Sequence, residues 1–159
     1  MIFITVGSQK FQFNRLLKEI DRLIEENKIK DEVFAQTGYS DYKPKNYNFK
    51  EFLDREEFSN IMSKFDTVIT HGGTGAIIGA VKNEKKVIAI PRLAEFGEHV
   101  DDHQLQIVNQ FEEMNFIKAI YKIDELEDKI KEVKEFEGNK YISNTKNIIN
   151  SIEEFIDSI

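Results

Sequence analysis

The sequence predicts an α/β protein built on a doubly wound parallel sheet of about six strands. Three observations carry this. Short, β-branched, nearly all-apolar runs such as Ile2–Val6 and Lys86–Ile90 read as strands buried on both faces. Between such runs lie amphipathic segments with apolar residues at helical spacing. The two kinds of segment alternate along the chain, as crossover-linked parallel strands do.

Taken in order, Ile2–Val6 is the first strand, ended by Gly7-Ser8. Leu16, Leu17, Ile20, Leu23 and Ile24 mark an amphipathic helix that packs on it. Val33–Thr37 is a second strand, closed by Gly38, and the polar stretch from Gly38 to Lys45 with Pro44 is a loop. Tyr47–Phe52 alternates as a short third strand. Asp54 is an N-cap for a helix running to Lys64, with Glu57 three residues on completing a capping-box-like pair. Thr67–Thr70 is the fourth strand and Gly75–Lys82 the helix after it. Lys86–Ile90 is the fifth strand, stopped by Pro91, and a helix is expected from Val100 to Met114. Phe116–Tyr121 makes a sixth strand and Asp124–Phe136 a charged helix. In the last segment, Asn144 to Ile159, the residues Ile148, Ile152, Phe155, Ile156 and Ile159 share one helical face. That stripe either completes the core, the favoured reading, or docks a partner.

The chain has 159 residues, 22 Lys plus Arg against 29 Asp plus Glu, a net charge of −7, two Pro and no Cys. One domain spanning 1–159 is the natural expectation, since domains commonly hold about 100 to 200 residues. Without cysteine, disulfide scaffolds, thiolate nucleophiles and Cys-type zinc sites are excluded. The acidic balance argues against nucleic acid as a partner, because phosphate-backbone binding needs a basic surface. No run approaches the ~20 apolar residues of a membrane span. The apolar start lacks a preceding basic region, so it does not read as a signal peptide. The expectation is a soluble, intracellular chain.

The densest chemical signal is Thr70-His71-Gly72-Gly73-Thr74-Gly75-Ala76-Ile77-Ile78-Gly79, set between a buried strand and a helix. Glycines there let backbone approach a ligand, and the following helix start carries partial positive charge suited to phosphate. In open α/β sheets ligands bind outside the strand carboxyl ends. The segment is not a P-loop, because no Lys-Ser/Thr pair follows the glycines. Nor does Gly73-x-Gly75-x-x-x-Gly79 match the dinucleotide fingerprint, which has one residue fewer between its last glycines. The competing reading is a tight turn with no ligand. His71 can donate a hydrogen bond to a phosphate oxygen, although a single His at a strand end is commonly a structural donor.

A second segment, Pro91-Arg92-Leu93-Ala94-Glu95-Phe96-Gly97-Glu98-His99-Val100-Asp101-Asp102-His103-Gln104, follows the fifth strand and is expected on the same rim. Glu95, Glu98, Asp101, Asp102 and Gln104 suit hydroxyl groups, as a sugar presents. A phosphate site beside a hydroxyl-binding cluster points to a nucleotide-sugar. Two other readings stand beside this one. His99 and His103, four apart with Asp102 adjacent, could hold a metal in a hydrolase, but the Glu of an H-E-x-x-H motif is missing and the expectation is no metal. Asp101 and Asp102 could also be a solvated helix start.

These residues match a family. The run from Val68 to Gln104, with His71-Gly72-Gly73-Thr74-Gly75 and Asp102-His103-Gln104, resembles the C-terminal domain of family-28-type glycosyltransferases. Met1–Ser8 and Phe96–Gln104 resemble more closely the small bacterial capsule and exopolysaccharide transferase subunits. Those are similar to the donor-binding half of the eukaryotic two-subunit enzyme that adds the second N-acetylglucosamine to dolichol diphosphate. The likeness runs from Met1 to about Tyr121.

The resemblance implies a Rossmann-like fold that is half of a GT-B glycosyltransferase, with a UDP-sugar as co-substrate and no further cofactor. A membrane-anchored acceptor-binding subunit and a lipid-diphosphate sugar acceptor would be the partners. The chain would then be cytoplasmic, held at the inner face of the membrane through that subunit. His71 and the Gly72, Gly73, Thr74 and Gly75 backbone would hold the diphosphate, with Gly7 and Ser8 nearby. Asp102, His103 and Gln104 would face sugar hydroxyls, and Arg92 could pair a glucuronate carboxylate. Where the family often has an acidic residue gripping ribose, eight positions after the motif His, this chain has Gly79. Ribose recognition would fall to Glu98 or backbone. The implied reaction is inverting transfer of galactose or glucuronate. The base would come from the partner, with His103 and Glu98 as weaker internal candidates. The alternative is a non-catalytic scaffold or regulatory subunit of the same fold.

Overall fold

The computed structural model describes residues 1–140. The expected helix over 144–159 lies outside them. Six strands, β1 (Ile2–Thr5), β2 (Val33–Gln36), β3 (Asn48–Lys50), β4 (Thr67–His71), β5 (Lys86–Ile90) and β6 (Lys118–Ala119), form one sheet in the order β3-β2-β1-β4-β5-β6. Every neighbouring pair is parallel. Five helices, α1 (Asn14–Glu25), α2 (Arg55–Lys64), α3 (Thr74–Lys82), α4 (His103–Glu113) and α5 (Leu126–Val133), make the crossovers and cover both faces.

The two faces follow from strand periodicity, since successive side chains point to opposite sides. Ile2, Ile4, Ile69, Ile88 and Ile90 pack with Leu16, Leu17, Ile20 and Leu23 of α1 and Leu126, Ile130 and Val133 of α5. Their alternates Phe3, Val68, Val87 and Ala89 pack with Met62 of α2, Ile77 and Ala80 of α3, and Ile107, Val108 and Phe111 of α4. Both faces are therefore covered along β1, β4 and β5, which is why each of those strands carries consecutive apolar residues.

Several boundaries differ from expectation for local reasons. The N-cap of α2 forms as expected, with Asp54 Oδ1 accepting the Glu57 N–H at 2.8 Å. Helix α4 begins at His103 rather than Val100. Asp102 Oδ1 instead accepts the Ala94 N–H at 2.8 Å, and a 3-10 turn at Ala94–Phe96 closes on Gly97 with φ +69°. Short polar side chains that bond nearby backbone compete with a helical start. Strand β6 spans two residues, with Phe116 and Ile117 packed in the core ahead of it.

Chain order reverses between β1 and β4, which are neighbours although β1 also pairs β2. Beyond the carboxyl ends of these two strands lies the topological switch point, where a doubly wound sheet opens a crevice. The Gly7-Ser8 turn leaves one side of that crevice and the His71 turn the other.

Candidate functional site

His71 ends β4 and is 8% exposed. Its Nδ1 lies 3.2 Å from Thr70 Oγ1, and its Cε1–Nε2 edge lies between two glycine backbones. A Cβ built on Gly73 would stand 2.4 Å from His71 Nε2, and one on Gly7 would stand 2.7 Å from Cε1. A methyl group at either position would displace the ring. Gly7 also has φ +77°, a left-handed conformation that other residues adopt at a cost. The glycines thus serve to bring two backbone turns against one imidazole.

Burial pushes the His71 ring down to about 4; the nearby Arg92 adds to this, a hydrogen bond to the Thr5 backbone opposes it, and His99 adds a further push. The ring is neutral at physiological pH, so it has a single N–H, which an anion would have to take over from the Thr5 carbonyl. Helix α3 starts directly after Gly73 with no side chain capping it and no acidic residue in its first turn. Its first N–H groups have no partner within the helix and carry the positive end of the helix dipole. Gly75 is exposed and a Cβ on it would meet nothing within 4 Å, so this end of α3 is open. A neutral donor and a row of free backbone donors can together hold an anion such as a diphosphate.

The loop after β5 is placed differently from expectation at three residues. Gln104 does not face the rim. It is 3% exposed, and its Oε1 accepts the Gly72 N–H at 3.1 Å and the Arg92 N–H at 3.0 Å. One side-chain oxygen therefore ties the glycine turn to the loop after β5, a role that follows from both turns presenting otherwise unpaired N–H groups. Gly72 is packed as tightly: a Cβ there would lie 2.8 Å from Val108 Cγ2.

Arg92 is fully buried. It donates to the carbonyls of Val6, Phe11, Gln12 and Glu98, and its guanidinium lies 5.2 Å from the Phe13 ring centroid. Burial pushes it down to about 10, which leaves it charged at neutral pH. It holds the loop after β1, not a carboxylate of a ligand. Glu98 is also fully buried; it accepts two hydrogen bonds from Arg15 at 3.0 Å and the Leu93 N–H at 3.0 Å. A carboxylate so occupied does not serve as a base or a ribose acceptor.

Asp102 is exposed, with its bond to Ala94 N–H as described above. His103 turns its Nδ1 onto Asp101 Oδ1 at 2.6 Å. Asp101 Oδ1 also lies 3.3 Å from His99 Nδ1, so the carboxylate beside the two histidines is Asp101, not the expected Asp102. His99 precedes α4 instead of sharing its face with His103. Thr74 and Ser8 are at the rim, half-buried and exposed respectively.

Two residues with structural consequences for the site carry weak sequence signals. Arg15 lies in the first turn of α1, where a cation opposes the helix dipole, and that oddity is its one signal. Gln12 donates through Nε2 to the Phe96 and Gly97 carbonyls at 2.9 and 3.3 Å, which nothing in its sequence context marks. Two clefts of about 380 and 410 Å³ open elsewhere, at the amino-terminal edge of the sheet by Val33 and Asn48 and by Lys86 and Phe116.

A glycine turn at the switch point and an open α3 start coincide with a match over residues 1–159 to the glycosyltransferase family 28 C-terminal domain. The chain belongs to that family. This family 28 domain is 26% identical over 144 residues to the UDP-N-acetylglucosamine transferase subunit ALG13 of Candida albicans (strain SC5314 / ATCC MYA-2876), covering 87% of this chain and 47% of that protein. The chain thus spans about half the length of that curated relative. Its fold is shared with the glycotransferase of kitacinnamycin (TM-score 0.63, 12% identity, 99% of this chain and 39% of the other). It is also shared with MurG of Acinetobacter baumannii (TM-score 0.58, 14% identity, 95% and 49%). The Rossmann-like α/β fold expected from the sequence is the fold of the family 28 domain.

Proposed function

We propose that this chain is the donor-binding, catalytic half of an inverting UDP-sugar-dependent glycosyltransferase. The single observation that carries the reading is the His71 turn, which joins a neutral donor to the uncapped start of α3 at the switch point. In the reaction an acceptor hydroxyl oxygen bonds to the anomeric carbon as the bond from that carbon to the diphosphate oxygen breaks. The His71 N–H and the α3 N–H groups stabilise the charge gathering on the departing diphosphate, and this step asks for no metal ion. The acceptor proton passes to a general base. With Glu98 engaged by Arg15, we assign that base to a partner subunit, and the printed name of the Candida relative, a transferase subunit, supports a divided enzyme.

The acceptor we propose is a lipid-diphosphate-linked sugar in capsule or exopolysaccharide synthesis, held by a membrane-anchored subunit. Among the described residues no helix is long and apolar enough to cross a membrane, so the partner would bring the chain to the cytoplasmic face. Between galactose and glucuronate, galactose is favoured, because Arg92 is fully buried and its one unpartnered donor, Nε, is buried with it. Calorimetry with UDP should show saturable binding that His71→Ala weakens about tenfold or more; no saturable binding, with or without the partner, removes the proposal.

One observation favours a second reading, a non-catalytic scaffold of the same fold. At Gly79, α3 offers no side chain towards a ribose. A lipid-linked transfer assay on the co-expressed pair separates the two, since transfer abolished by His71→Ala eliminates a scaffold.

A further inference from the structure

The structure brings together three potential metal ligands that the proposed transfer does not use. His99, Asp101 and His103 each offer one ligand atom, and these atoms all lie within 4.8 Å of one another. Asp101 Oδ1 is 2.6 Å from His103 Nδ1 and 3.3 Å from His99 Nδ1. A four-coordinate zinc ion with bonds of about 2.0–2.2 Å sets its ligand atoms roughly 3.3–3.5 Å apart. The 3.3 Å separation already matches that value and the 2.6 Å one lies below it, so closing on an ion asks His103 and Asp101 to move apart.

The first ligand is held in place before any ion arrives. The His99 side chain is 9% exposed, and its ring stacks on Phe11 with centroids 5.1 Å apart and planes at 29°. Its Nδ1 accepts the Asp101 N–H at 3.4 Å, a long hydrogen bond that an ion ligated by this nitrogen would displace. The His99 and His103 rings meet edge to face at 5.2 Å. Asp101 is exposed, and its bond to His103 holds its carboxyl below the ordinary range, so it is ionised at neutral pH. His103 is the more accessible imidazole, at 32% side-chain exposure.

We propose that His99, Asp101 and His103 form a binding site for a zinc-class divalent transition metal on the loop leading into α4. Two imidazoles and one carboxylate suit zinc, nickel or copper better than magnesium or calcium, which prefer all-oxygen sets. The fourth position is left to water on the exposed side. An imidazole nitrogen ligates a metal only when it carries no proton, so affinity falls at acidic pH. The positive end of α4 opposes a cation there, and the Asp101 and Asp102 carboxylates offset it. The ion would fasten the His99 segment to the start of α4.

The test is titration of the full chain with zinc chloride in metal-free buffer, with cobalt(II) absorption as a second readout of nitrogen ligation. One ion per chain is expected, with a four-coordinate cobalt spectrum. Asp101→Asn and His103→Ala, both at accessible positions, should each weaken zinc at least tenfold, with melting curves showing each variant folded. Lowering the pH from 7.5 to 5.5 should also weaken it tenfold or more, and excess magnesium should not compete. Zinc binding unchanged in the doubly substituted chain, or magnesium bound as well as zinc, would overturn the proposal.

Discussion

Because burial holds the His71 ring near 4, the histidine meets an anion as a neutral donor and not as a cation. That shift is also a statement about stability. The folded value lies below the ordinary 6.5, so between roughly pH 6.5 and 4 the unfolded chain takes up a proton that the folded chain refuses. Stability from this group is complete above pH 6.5 and is lost as pH falls towards 4, by on the order of 3 kcal/mol. Urea unfolding at pH 7 and pH 4.5 should show the fall, and His71→Asn should flatten it. A ring that titrates near 6.5 by NMR would contradict this. At Gln104 the argument is hydrogen bonding. Gln104→Ala leaves the Gly72 and Arg92 N–H groups buried without their acceptor, at about 1–3 kcal/mol each. Chemical denaturation should register a loss of at least ~2 kcal/mol, together with weaker UDP binding; an unchanged midpoint counts against the clamp.

Among the elements, α3 and its turn show how one residue type serves opposite ends. Gly72 stands where a Cβ would meet Val108 and Gln104, whereas Gly79 stands in the open. Gly72→Ala should therefore destabilise the fold by about 1–3 kcal/mol through overpacking. Gly79→Ala should stabilise it by roughly 0.5–1 kcal/mol, since alanine costs less backbone entropy in a helix. Thermal melts of the two variants should move in opposite directions; shifts of the same sign would refute the packing argument. The glycine run is legible in the sequence as a turn, but its separate duties are not. Which glycine touches α4 depends on how α4 lies across the turn, and residues 32 apart in the chain set that distance. The start of α4 differs from the sequence pattern for a related reason: Val100 continues a helical pattern, while Asp102 finds the Ala94 N–H only after the loop has folded back.

In the whole molecule, the loops after β1 and β5 are joined across more than 70 residues by buried polar groups. Arg92 reaches the carbonyls of Val6, Phe11 and Gln12, and Arg15 pairs with Glu98. Arg15→Met removes the cation from a fully buried carboxylate, a change that commonly costs about 3–5 kcal/mol. Unfolding free energies of wild type and variant check this, and a cost below about 1 kcal/mol would mean that Glu98 finds water or another donor. The same network explains why Arg92 and Glu98 looked like ligand groups. A charged loop on a binding rim offers no sign in one dimension of which charges turn inward.

Apolar runs and their periods were enough to determine the alternation of strand and helix, the parallel sheet and the rim that carries His71. Those features rest on local spacing, and spacing is fully present in the sequence. Tertiary structure decided the rest: the neutrality of His71, the inward turn of Gln104, Arg92 and Glu98, and the meeting of His99, Asp101 and His103. Each of these depends on burial or on a partner distant in the chain or brought near by a folded loop, and neither exists before the chain has folded.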